Sequence, residues 1–167
     1  METVLNNNLE IFKYLTENEI KSLAGVFKLR TYQSGEIVFR EGDAGESLFI
    51  VLNGKIKILG QKELYNDEEA KNESQEILLN EILKGRTFGE MALLDKKPRC
   101  ASAIAAVTSE VLELTRADFI NLSDSNPVIS NKIYRALGEL LSLKARKITE
   151  AFKSDLTKYL KEFLLWI

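Results

Sequence analysis

The stretch EIVFREGDAGESLFIVLNGKIKIL, residues 36–59, decides the fold. Its apolar residues come in short runs, VF, LFIVL and IKIL, split by glycine-containing breaks. Runs of this length and β-branched content read as strands, not as turns of a helix. Gly35, Gly42, Gly45 and Gly54 stand at the breaks, where a tight turn often needs positive φ. Asn53-Gly54, between LFIVL and KIKIL, is a hairpin signal.

Upstream, residues 9–28 change to a helical period. Leu9, Phe12 and Leu15 fall on one face, as do Ile20, Leu23 and Phe27. Thr16 with Glu19 forms a capping-box pattern that starts the second helix. Downstream, GQKELYNDEEAKNESQE (60–76) is polar and mostly acidic. It reads as an exposed hairpin loop in preference to a partner-binding insertion, because charge runs are usually solvated. Strands resume with EILLNEIL (76–83), and ASAIAAVTSEVLELT (101–115) supplies two more.

From Arg116 the helical pattern returns. Thr115 with Asp118 caps one helix, and Asn126 followed by Pro127 starts a long one through about Phe152. The apolar face of the long helix carries Ile129, Ile133, Leu137, Leu140, Leu141, Ile148 and Phe152. The expected fold is mainly β with flanking helices, a small jelly-roll β-barrel. One domain spans 1–153, with helices at about 9–28, the barrel at about 29–115 and C-terminal helices at about 116–153. Residues 154–167 read as a short C-terminal helical extension.

Composition narrows the function. A chain of 167 residues with 45% hydrophobic content builds one ordinary core. A net charge of −2 offers no basic field for direct nucleic-acid binding and no polybasic membrane patch. No apolar run approaches the ~20 residues of a membrane span, and the N-terminus lacks a signal-peptide pattern. Cys100 is the only cysteine, which excludes an intrachain disulfide and allows a reducing compartment; the expected location is cytoplasmic. The chain has no histidine. Ser-His and Cys-His nucleophiles and histidine metal sites are therefore unavailable, and neither catalysis nor a metal is expected.

The chemistry concentrates in FGEMALLDKKPRCASA, residues 88–103. Gly89 allows close backbone approach. A short helix starting near Glu90 aims the N–H groups of Met91 and Ala92 at one point. Arg99, stiffened by Pro98, adds two parallel donors suited to a phosphate. Cys100 and Ala101 are small enough for a ligand to press against them. Met91, Leu93 and Leu94 read as core. Glu90 fits beside an anion if it accepts a ligand hydroxyl, or if a cation offsets it. The expected ligand is a compact sugar phosphate of low charge.

These residues resemble the cyclic-nucleotide-binding domain of catabolite-activator-type regulators, cyclic-AMP-dependent kinase regulatory subunits and cyclic-nucleotide-gated channels. FGEMALL followed by PRCASA is similar to that family's phosphate-binding cassette, and GEIVFREGDAGESLFIVLNGKIKI (35–58) to its earlier barrel signature. The resemblance runs from about residue 9 to residue 150. It implies that Arg99 binds the cyclic phosphate and Glu90 the ribose 2′-hydroxyl. Gly89, Met91 and Ala92 would lend backbone, and Ala101 would sit against the phosphate. Leu48 and Ile50 lie in a strand that could line the base side. Cys100 stands where the family usually has Ala, Ser or Thr, and its thiol is a weak donor that neither demands cyclic GMP (cGMP) nor excludes it.

The implied function is a non-enzymatic sensor of cyclic AMP (cAMP), ahead of cGMP, acting on an unidentified protein effector. No helix-turn-helix is visible, so DNA binding is not implied. Arg135, Glu139 and Ser142 are candidates to cap the base. Leu137, Leu141, Lys144 and Ile148 approximate a homodimer seam on the 127–152 helix, although a core-facing helix shows much the same pattern. The alternative is a degenerate, ligand-free domain acting as a dimerising interaction module.

Overall fold

The computed structural model describes residue 5, residues 8–63 and residues 74–164, with the backbone alone described at 62, 63, 74 and 158–164. A 3-10 turn, Glu10–Phe12, and helix α1, Glu17–Ser22, precede the strands. The strands are β1 (Lys28–Tyr32), β2 (Ile37–Phe39), β3 (Ser47–Asn53), β4 (Lys55–Glu63), β5 (Ser74–Leu83), β6 (Thr87–Phe88), β7 (Ser102–Ala105) and β8 (Ser109–Thr115). Helix α2 (Glu90–Asp95) sits between β6 and β7, and α3 (Arg116–Ser125) and α4 (Pro127–Leu164) follow the last strand. The strands form two four-stranded antiparallel sheets, ordered β1-β8-β3-β6 and β2-β7-β4-β5. The expected fold, mainly β with flanking helices, is borne out.

Strand β3 explains the layering. Alternate residues of a strand point to opposite faces. Leu48 and Ile50 are fully buried beneath the helices, among Phe12, Leu23, Phe27, Ile133 and Leu137. Phe49 and Val51 point the other way, between the sheets, with Ile56, Ile82, Phe88 and Val111. The first sheet is thus covered on both faces, which is why LFIVL is continuously apolar. Each large side chain buried this way contributes about 1.5–3 kcal/mol. Leu48 and Ile50 therefore belong to the helix-facing core and not to a ligand wall.

The local helix signals behave as the sequence predicts. Thr16 and Glu19 form a reciprocal capping box, Thr115 caps α3 through the Asp118 N–H, and Asn126 Oδ1 accepts the Ile129 N–H at 3.2 Å. The Asn53-Gly54 turn does not make the expected hairpin. Strand β3 is already paired on both edges, by β8 and β6, so the chain crosses to the other sheet and β4 pairs with β5 and β7. The hairpin is β4–β5, whose register runs from Lys55↔Leu83 to Glu63↔Ser74. Strand pairing therefore reaches into the polar 60–76 segment. An edge strand tolerates polar residues on a solvated face, and Gln75 and Glu76 are exposed. Residues 64–73, the middle of that segment, lie outside the described residues.

Helix α4 runs from Pro127 to Leu164 without a break at 153–154, where the sequence pattern suggests a separate segment. Lys153, Ser154 and Asp155 include no Gly or Pro to stop it. Ile129, Ile133, Ala136 and Leu137 are buried, whereas every residue from Ala145 to Thr157 is exposed. Ile148 and Phe152 thus leave the core-facing stripe at 70% and 67% exposure. Leu137 cannot be part of a dimer seam, because it is fully buried against the strands of its own domain. Among the described residues no helix is long and apolar enough to cross a membrane.

Candidate ligand-binding site

The chain enters the site through Gly89, which caps α2 with φ 73° and ψ 10°. A side chain would be strained in that conformation, and a Cβ there would lie 2.6 Å from Arg99 Nη1. Gly45 has a different task. Its φ is not positive, contrary to the turn reading, but a Cβ on it would lie 2.0 Å from the Ala92 Cβ. Gly45 therefore lets α2 press against the loop before β3. That contact leaves Met91 on the outer side at 49% exposure, while Ala92 and Leu93 are buried. Met91 is thus not the core residue that its apolar character suggests.

Arg99 is held from several sides. Its N–H donates to Asp43 O at 2.8 Å, and its own carbonyl accepts the Gly42 N–H at 2.9 Å. Nη1 donates to Ser47 O at 2.8 Å and Gly89 O at 2.9 Å, and Nη2 to Ser47 Oγ at 3.1 Å. The guanidinium covers the Phe39 ring and lies 5.7 Å from the Phe49 centroid. Phe39, Phe49 and Phe88 pack on one another beneath it, with centroids 5.2–5.9 Å apart. Arg99 is only 6% exposed, and among the described residues no carboxylate forms an ion pair with it. Among the described residues its Nε has no hydrogen-bond partner. Burial pulls the Arg99 pKa below its ordinary value, opposed by the charge of Asp43. A buried cation without a counter-ion is costly, and an incoming anion would relieve that cost.

Glu90, 5% exposed, accepts a hydrogen bond from Lys144 Nζ at 2.7 Å, and the same ammonium donates to Thr87 O at 3.2 Å. All seven residues singled out from sequence, Gly89, Glu90, Met91, Ala92, Arg99, Cys100 and Ala101, border one cavity of about 350 Å³. That is within the range of small-molecule pockets. Its apolar wall comes from Phe39, Ile58, Leu79, Ile82 and Phe88, and its cover from Lys144 and Ile148 of α4. Sequence reasoning misses the wall residues and reads Lys144 and Ile148 as part of a dimer seam, whereas both border the cavity. Period-two alternation in β2 and β4 could have offered Phe39 and Ile58, but nothing local points to Lys144, 54 positions from Glu90.

The cap candidates do not reach this cavity. Arg135 stacks on the Tyr14 ring at 4.2 Å, and Glu139 accepts the Tyr14 hydroxyl at 2.7 Å. Both are committed to anchoring α4 on the N-terminal segment, and Ser142 does not border the cavity either. Cys100 is a free, exposed thiol at the cavity wall. Among the described residues no group of three or more acidic or cysteine side chains is placed to hold a metal.

A family model for the cyclic nucleotide-binding domain matches residues 29–126, from the first strand to the start of α4. The chain belongs to the cyclic nucleotide-binding domain family. This cyclic nucleotide-binding domain is 31% identical over 141 residues to the cyclic AMP receptor protein of Thermus thermophilus, covering 84% of the chain and 58% of the relative. It is 35% identical over 117 residues to the cGMP-dependent protein kinase egl-4 of Caenorhabditis briggsae, covering 70% of the chain and 15% of the kinase. The crystal structure of the Thermus thermophilus catabolite activator protein superposes with a TM-score of 0.72 at 30% identity, over 86% of this chain and 62% of that one. The chain therefore spans little more than half the length of the first relative and a small part of the second.

Proposed function

We propose that the domain is a non-enzymatic sensor that binds cAMP, and cGMP less well, and passes a helix rearrangement to a separate protein. The observation that carries this reading is Arg99, a buried guanidinium with no counter-ion, at the wall of a cavity that also holds Glu90. In this reading the cyclic phosphate, a monoanion, takes the charge of Arg99, and the ribose 2′-hydroxyl donates to Glu90. The base lies along the apolar wall. Cys100, a weak donor at the wall, neither demands cGMP nor excludes it, and the ratio of the two affinities reads its role. The names of relatives for both nucleotides agree with the ligand class. Ligand contact with the cover residues of α4 then shifts that helix, and its exposed distal half transmits the shift.

The test is a calorimetric titration of the nucleotide-freed chain with cAMP, cGMP and 2′-deoxy-cAMP. Saturable micromolar binding, about −8 kcal/mol, is expected for cAMP, with weaker binding of the other two. Glu90→Gln should weaken cAMP more than 2′-deoxy-cAMP. No binding of any ligand overturns the sensor. It would favour a ligand-free interaction module, a reading supported by the exposed apolar row Ile148, Phe152 and Leu156.

A further inference from the structure

The site contains one more charged group than the phosphate-and-hydroxyl scheme uses. Lys144 belongs to α4, yet its ammonium contacts Glu90 Oε1 at 2.7 Å and Thr87 O at 3.2 Å and borders the same cavity. Its side chain keeps 37% exposure, whereas that of Glu90 has 6%, so the helix delivers a partly solvated cation to a buried carboxylate. Among the described residues no donor reaches Glu90 Oε2.

Charge shows why this pair matters to a ligand. A carboxylate beside an anion site repels the anion, and the repulsion is strong where water is excluded. Arg99 and Lys144 against Glu90 leave a net charge of about +1 around the cavity, which suits a monoanion. Lys144 also fixes one oxygen of the carboxylate, so the other is presented in a set direction and a ligand hydroxyl has less freedom to arrest. We propose that Lys144 is the positioning residue for the ligand hydroxyl: by holding Glu90 Oε1 from α4, it orients Oε2 as the acceptor and makes hydroxyl recognition depend on the seat of the helix. This inference rests on the sensor reading above.

The experiment is a calorimetric comparison of wild type, Lys144→Met and Lys144→Arg, each also in a Glu90→Gln background, with cAMP and 2′-deoxy-cAMP as probes. Thermal melts of the same samples establish folding, and Lys144→Gln replaces the Met variant should that one melt early. Lys144→Met should weaken cAMP by about tenfold or more and 2′-deoxy-cAMP much less. The loss should vanish in the Glu90→Gln background, and Lys144→Arg should recover part of it. Equal losses for the two ligands, or losses that add to those of Glu90→Gln, overturn the positioning role while the sensor stands. Absence of binding in the wild type overturns both.

Discussion

The guanidinium carbon of Arg99 lies 4.1 Å from the centroid of the Phe39 ring. One face of the cation is thus spent on an aromatic ring and two of its nitrogens on Ser47 and Gly89, before any ligand arrives. This is preorganisation: the side chain cannot swing away when the site is empty. Arg99→Ala should cost about 2–4 kcal/mol of cAMP binding, roughly 30- to 1,000-fold in affinity. Arg99→Lys should restore only part, because a lysine cannot stack and fork at once. Titration showing wild-type affinity in the alanine variant would remove Arg99 from the site.

Gly45→Ala tests the seat of α2. The added methyl must displace Ala92 or the Lys97 carbonyl, which would lie 2.9 Å from it. Overpacking of this kind costs about 1–3 kcal/mol. Both the melting temperature and cAMP affinity should fall, and a further Ala92→Gly substitution should recover part of each. A melt indistinguishable from wild type would show that the loop and helix are not in this contact.

Glu139 predicts an acid limb. Hydrogen bonds from Lys13 and then Tyr14 hold its carboxyl down from 4.5 to about 2. A pKa depressed in the folded state stabilises above the unfolded value and loses that contribution as pH falls through the window from 4.5 to about 2. Melting temperature should therefore drop more steeply on acidification in wild type than in Glu139→Gln. The difference should shrink at high salt, because the pair is exposed. Parallel acid limbs for the two proteins would contradict the assignment.

The distal half of α4 predicts association. Phe152 is 67% and Leu156 48% exposed, on a stretch of helix that none of the described residues covers. Sedimentation equilibrium should show wild type as a dimer, and Phe152→Glu with Leu156→Glu as a monomer that keeps its cAMP affinity. A monomeric wild type would direct the search to a separate effector on the same surface.

What is legible in the sequence is what is local. Thr16–Glu19, Thr115–Asp118 and Asn126–Ile129 are contacts across three residues, so residue type and spacing suffice. The cassette residues 89–101 are close in the chain, and one loop brings them to one cavity. Asn53-Gly54 announces a turn, but which strand β4 joins depends on β3 having no free edge, a property of the whole sheet. Gly45 announces freedom of backbone, whereas its use is room for Ala92. Arg135 and Glu139 lie on the right helix, but Tyr14 claims both. The contact of Lys144 with Glu90 is out of the sequence's reach for the same reason: only the completed fold lays α4 across the cassette.

The unbroken length of α4 gives the Lys144–Glu90 contact a mechanical meaning. Twenty residues, Ala145 to Leu164, continue beyond the lysine as one rod. At 1.5 Å per residue that arm is about 30 Å long, so a tilt of about 10° at the lysine sweeps its tip through roughly 5 Å. In the proposed sensor the pocket would thus sit at the short end of a lever, where a displacement too small to disturb the core would become a stroke wide enough for another molecule to feel.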